Sequence, residues 1–265
     1  MHVLGRHVRF SIDPFSPAES PGFNPYASKP TGEGLSIFLQ LSVEVGGEIE
    51  PATGFVVNVT DIDETVRIYA VPLFAERISN DFRAGTHSGF SEIAELLGLA
   101  WDRLANRFGT AELRKLSLKL NPFREIAMDS EDLQMVYFSE KFEFAAMHKL
   151  WNDDFSEQRN FDVFGKCANP AGHGHNYIVE VTIRKQKGDK ALSAGEFERI
   201  VDNELIQVVD HKNLNADVAE FLETNPTVEN IATFAWERLA DKFRPASLYR
   251  ITVWESDRTY CSYYG

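Results

Sequence analysis

The chain has 265 residues, 43% of them hydrophobic and 25% charged, with 17 glycines and 11 prolines. That composition can bury one large core or two ordinary ones, and it excludes a disordered chain, a collagen-like repeat and a small disulfide scaffold. Lys and Arg number 27 against 40 Asp and Glu, a formal charge of −13 with no basic tail or stripe, so the phosphate contacts that dominate nucleic-acid affinity are missing and nucleic acid is excluded as a partner.

No apolar run approaches the ~20 residues that span a bilayer, and the N-terminal MHVLGRHVRFSIDPF has no apolar segment followed by a cleavage site. The reading is a cytoplasmic, soluble protein with no membrane partner, in which Cys167 and Cys261 stay reduced.

In chain order, alternation and β-branched content predict a strand over Ser36 to Val45. A helix capped near Thr60 follows, then a helix from about Ser91 to Phe108 and a strand from Leu116 to Leu120. The acidic stretch Asp129-Ser130-Glu131-Asp132 reads as a junction. Beyond it, strands are predicted over Lys141 to Ala146 and Tyr177 to Lys185, the second ending in a turn at Lys187-Gly188-Asp189. Ser193 and Glu196 have capping-box spacing at the start of a helix whose apolar face is Phe197, Ile200, Val201, Leu205 and Val208. Asn225-Pro226-Thr227 opens another helix, with Pro at a first-turn position, and Leu248 to Glu255 forms a last strand.

The second half echoes the first. AWDRLANRF at 100–108 recurs as AWERLADKF at 235–243, identical at six of nine positions, and PTGEGLSIFLQLSVEV from Pro30 aligns with PAGHGHNYIVEVTIRK from Pro170. Two tandem units are expected, 1–132 and 133–265. Each has strands around a helical middle, an α+β arrangement with helices on one face of a mainly antiparallel sheet.

Four of the seven histidines lie in the second half among other reactive residues. His173 and His175 flank Gly174 at the start of a strand, where i and i+2 point to the same side. His148 ends the preceding strand, so the three imidazoles can address one ion and leave a position open, as in catalytic zinc. The first unit has Glu33, Leu35 and Asp13 or Pro14 at the corresponding places, so the metal is expected in the second unit alone. Cys167 lies six residues before His173; beside a cation and Lys166 its thiol could be acidified into a proton carrier, and otherwise it is a small buried hydrophobe. Asp210 beside His211 reads as a carboxylate orienting a general acid/base, or as a helix-end ion pair. Glu255 reads as a surface acid or as a carboxylate receiving paired N–H donors from a flat heterocycle.

Residues 138–260 resemble the 6-pyruvoyl-tetrahydropterin synthase family, through FAAMHKL, CANPAGHGHNY, VDHKNLN, NPTVENIA and ITVWES in order. The resemblance implies a tunnelling fold of four antiparallel strands with two helices on one face. Several such units would close into a homo-oligomeric barrel with sites between subunits. It implies zinc on His148, His173 and His175, Cys167 as proton-transferring residue with Asp210 and His211 as relay partners, and Glu255 as pterin anchor with Thr227 and Glu229 nearby. The implied reaction is a lyase step on 7,8-dihydroneopterin triphosphate with loss of triphosphate, for which Lys149, Lys166 and Lys212 are local cations. The 6-carboxytetrahydropterin synthases of the queuosine pathway and a non-catalytic pterin binder are the alternatives. Five residues between Cys167 and His173 favour the pyruvoyl type. The first half keeps GFVVNVTDID at 54–63, where the second has GDKALSAGEF, and reads as a non-catalytic scaffold.

Overall fold

The computed structural model describes residues 1–15, 26–30, 35–189 and 192–265. Glu33, and Lys190 and Ala191 of the GDKALSAGEF loop, lie outside them. The chain forms two compact units, Met1–Phe138 with Lys185–Ala191, and Ser139–Arg184 with Leu192–Gly265. The stretch read as a junction is the turn between two strands of the chain, where Asp129 and Asp132 side chains accept from Glu131 and Gln134 N–H groups.

In the first unit β1 (His2–Ile12), β2 (Ile37–Gly47), β3 (Glu112–Lys119) and β4 (Arg124–Asp129) lie in chain order in an antiparallel sheet. Between β2 and β3 come α1 (Val59–Tyr69), α2 (Val71–Ala84) and α3 (Phe90–Leu104). Leu39, Leu41, Val43 and Val45 alternate inward from β2 and are buried, as are Val66, Phe74, Leu97 and Leu104 of the helices, with Phe74 6.0 Å from Phe10 of β1. Complete burial of such a side chain contributes about 1.5–3 kcal/mol. Two expectations need correction. The cap of α1 is Asn58, whose Oδ1 accepts from Thr60 N–H at 3.1 Å, and Pro72 at the start of α2 makes the helical middle three helices.

The second unit is built from the greater parts of β5 (Met135–His148) and β6 (His173–Gln186), with α4 (Glu157–Phe164) between them and α5 (Ala194–Val201) after. A wider turn at Asp202–Ile206 leads on to α6 (Gln207–Val209), then β7 (Lys212–Asn213), α7 (Leu214–Asp217), α8 (Val228–Leu239), β8 (Ser247–Ser256) and β9 (Thr259–Tyr263). Its strand order is β5-β6-β8-β9, with β7 parallel on β5. The Ser193–Glu196 capping box forms in both directions. Phe197 stacks on Phe243 at 5.1 Å and faces Phe142 of β5 at 6.1 Å, while Ile231, Ala235 and Leu239 of α8 complete the core. Thr227 is the cap of α8, so Pro226 precedes the cap instead of lying in the first turn.

The ladders of the two units correspond in detail. Leu41 faces Leu118 and Val43 faces Leu116; after a bulge, Val45 faces Leu113. Likewise Val179 faces Val253 and Val181 faces Ile251, and after a bulge Ile183 faces Leu248. With Trp101 set against Trp236, Leu118 falls on Val253 and Leu41 on Val179. The positions matching His175 and His173 are then Ile37 and Leu35, two residues along from the sequence alignment. A shift of two keeps each side chain on the same face, so it passes unseen in the hydrophobic pattern.

Candidate active site

Three ends of the second sheet meet on its helix side: the end of β5, the start of β6 and the end of β8. His148 closes β5 and is buried, while His173 and His175 open β6. Each offers one ring nitrogen within 4.8 Å of the other two. His148 Nδ1 lies 2.7 Å from the Pro226 carbonyl, so its N–H is donated there and Nε2 is left as a lone pair, 3.0 Å from Nε2 of His173. That is the tautomer a metal ligand needs, fixed by an outer carbonyl. Burial first, then the neighbouring imidazoles, push His148 and His173 below the ordinary imidazole range, which keeps both rings neutral. Nδ1 of His173 and Nε2 of His175 are buried without a hydrogen bond. Three imidazoles grouped this closely, with orphaned ring nitrogens among them, fit a metal ion.

Glu255 approaches this cluster, with Oε1 3.5 Å from Nε2 of His175. Burial and then the Glu255 charge push the buried Tyr177 phenol far up, so it stays neutral, 3.5 Å from Nδ1 of His148. Gly172, at φ +71°, lets the cysteine loop close on the end of β5, since a Cβ there would stand 3.0 Å from the His148 carbonyl. Cys167 is half-buried in a 3₁₀ turn (Gly165–Ala168). The expected acidification is not what the protein groups provide: burial, then Glu255, push the thiol up. A cation on the imidazoles would act in the opposite direction.

Asp210 and His211 sit at the outer edge of β5. Asp210 Oδ1 accepts from Ala145 N–H at 2.9 Å, and His211 N–H donates to the Ala145 carbonyl at 2.6 Å. His211 Nδ1 lies 2.8 Å from Asp210 Oδ2, on a backbone at φ +55°. Its side chain is 83% exposed, and no hydrogen bond joins it to Cys167 among the described residues. Thr227 spends its hydroxyl on capping α8 through Asn230 N–H. Glu229 is exposed on the first turn of α8, and its charge, after burial, helps push Cys261 up. Lys149 lies over the Trp151 ring at 5.0 Å, and Lys166 and Lys212 are exposed. Sequence reading missed Pro226 as the partner of His148 and Tyr177 as a neighbour of the rings; neither carries a local signal.

The 6-pyruvoyl tetrahydropterin synthase family model matches residues 137–265. The chain is 34% identical to human 6-pyruvoyl tetrahydrobiopterin synthase over 48% of this chain and 90% of that protein. The chain belongs to the 6-pyruvoyl tetrahydropterin synthase family. A Poecilia reticulata 6-pyruvoyl tetrahydrobiopterin synthase is 37% identical over 49% of this chain and 90% of the relative. The solved Caenorhabditis elegans 6-pyruvoyl tetrahydropterin synthase is 31% identical, covering 49% of this chain and 96% of its own, with a TM-score of 0.46. The family match holds the three histidines, Cys167, the Asp210–His211 pair and Glu255, and omits residues 1–136.

The carboxylate of the pair has a testable signature. The Ala145 N–H first, and His211 after it, hold Asp210 below the usual carboxylate range. A carboxyl lowered on folding contributes stability above its unfolded pKa and loses it as pH falls through the folded one. Asp210→Asn should therefore unfold more readily than the parent at neutral pH, by under about 1 kcal/mol given the partial exposure. The gap should close in acid, which thermal unfolding across pH will show.

Proposed function

We propose that the second unit is a zinc-dependent lyase that converts 7,8-dihydroneopterin triphosphate to 6-pyruvoyl-tetrahydropterin with loss of triphosphate. The observation carrying this reading is the three-imidazole cluster with Glu255 beside it, inside the part of the chain that matches the family. Zinc on His148, His173 and His175 would supply Lewis-acid polarisation and orientation of the side-chain hydroxyls. Glu255 accepts the paired N–H donors of the pterin edge, with Thr227 and Glu229, at the start of α8, as further substrate-binding residues.

Cys167 Sγ moves a proton at the substrate side chain, and His211, oriented by Asp210 at 2.8 Å, moves the second. The balance closes without an external oxidant: one side-chain carbinol is oxidised as the ring imine is reduced, and elimination of triphosphate followed by tautomerisation gives the other carbonyl and the methyl group. Because His211 is turned to solvent, we take the working site to be completed in a homo-oligomer, in the cytoplasm, with Lys149, Lys166 and Lys212 as cations for the phosphates. The first unit, with Leu35 and Ile37 where the second has metal ligands, is a non-catalytic copy of the same domain that completes the assembly.

Incubation of the protein with dihydroneopterin triphosphate, with metal analysis of the same sample, tests the reading. The expected outcome is stoichiometric zinc, released triphosphate and a 6-pyruvoyl product. A 6-carboxy product would transfer the chain to the queuosine branch. Zinc without triphosphate release would make it a pterin binder.

A further inference from the structure

The backbone leaving β5 after His148 presents four successive N–H groups, Lys149 to Asn152, in a segment that is neither helix nor strand. Every one is taken by a group later in the chain, from Asn160 to Asn225. Lys149 donates to Asn215 Oδ1 at 2.7 Å, Leu150 to the Cys167 carbonyl at 2.9 Å, Trp151 to Asn225 Oδ1 at 2.8 Å and Asn152 to Asn160 Oδ1 at 2.8 Å. Asn215 Nδ2 returns a bond to the Lys149 carbonyl at 3.0 Å, and Asn160 Nδ2 one to the Asn152 carbonyl at 2.9 Å. A planar amide that accepts from and donates to one residue does what a neighbouring strand would do. These side chains thus continue the ladder of β5 past its end.

Each asparagine ties the segment to a different part of the site. Asn215 stands in α7, directly after the strand that follows the Asp210–His211 pair. Asn160 is wholly buried in α4, which leads into the turn holding Cys167. Asn225 precedes Pro226, whose carbonyl holds the His148 ring, so one dipeptide grips both the ring and the backbone three residues beyond it.

We propose that Asn160, Asn215 and Asn225 are positioning residues that fix His148 against Cys167 and thereby set the affinity and geometry of the three-imidazole centre. This rests on the metal reading above and extends it to residues with no ligand atom in the site. A bond used only as an acceptor predicts a different pattern from one used in both directions. Asn225 gives Trp151 an acceptor alone, so Asn225→Asp keeps the bond and Asn225→Leu removes it. Asn215 must also donate, so Asn215→Asp sets a carboxylate against the Lys149 carbonyl.

The experiment is titration of the metal-free full chain and its variants with Co(II), reading affinity and the visible d–d spectrum, beside thermal unfolding of the metal-free proteins. Binding by the parent protein tests the metal reading separately: without it that reading fails, and the clamp with it. With it, Asn225→Leu and Asn215→Asp should each bind Co(II) about 10–100-fold more weakly, with a shifted spectrum, as for loss of an outer-shell partner. Asn225→Asp should stay within about threefold of the parent on the same grounds. If Leu at 225 prevents folding, the contrast between Asp at 225 and Asp at 215 still decides. Parent-like affinity and spectrum in Asn215→Asp, or equal damage from Asp at both positions, would overturn the proposal.

Discussion

Cys167→Ala is expected to abolish turnover while leaving metal content unchanged. The thiol is not a member of the three-histidine group and is only half-buried, so trimming it to a methyl disturbs neither the imidazoles nor the loop, whose tie to β5 is the backbone bond from Leu150 N–H to the Cys167 carbonyl. What disappears is a proton carrier, whose loss typically lowers rate about 10²–10⁴-fold. Metal analysis and triphosphate release on the same preparation separate the two effects. Unchanged turnover would remove Cys167 from the mechanism, and lost metal would mean that the loop and the centre fold as one.

His173→Ala should have the larger effect on the metal. Two imidazoles remain, and affinity should fall by more than the roughly 10–100-fold that an outer-shell partner contributes. Turnover should fall with it, and added zinc should restore little. His148→Ala should do this and also destabilise the fold, since His148 is 1% exposed and its loss strands the Pro226 carbonyl; a buried acceptor left unpaired costs about 1–3 kcal/mol. Calorimetric zinc titration and thermal unfolding distinguish the pair: His173→Ala loses metal with near-parental stability, His148→Ala loses both. Tight stoichiometric zinc in His173→Ala would rule out the three-imidazole centre.

The three-histidine cluster was legible in the sequence because part of its signal is local. Two histidines two apart on a strand must share a side, and a third ends the preceding strand, which antiparallel pairing brings beside them although α4 and the Cys167 turn lie in the connection. The Ser193–Glu196 capping box was readable for the same reason. What escaped depends on contacts across 66 to 78 residues: Asn215 on Lys149, Asn225 on Trp151 and Pro226 on His148. Short elements escaped too. The helix α4 carries exposed Phe161 and Val163 with buried Asn160, the reverse of the usual apolar face, and β9 spans five residues with little alternation. The two-residue slip between the units was invisible because it preserves the inward-outward pattern that guided the alignment. The expectation for Cys167 considered a cation and Lys166 and overlooked Glu255, which lies 88 residues downstream in sequence.

The left-handed backbone at His211 bears on how any replacement there is to be read. Glycine occupies such a conformation freely and asparagine tolerates it, whereas alanine and branched residues are strained by it. A histidine at φ +55° therefore holds an unfavourable conformation that the two Ala145 bonds enforce from the adjoining chain. His211→Ala keeps the strained Cβ and removes both the imidazole and whatever support it gives the turn, while His211→Asn removes the ring in a residue that tolerates the conformation. The second is the clean chemical deletion, and a difference between the two measures the turn and not the proton.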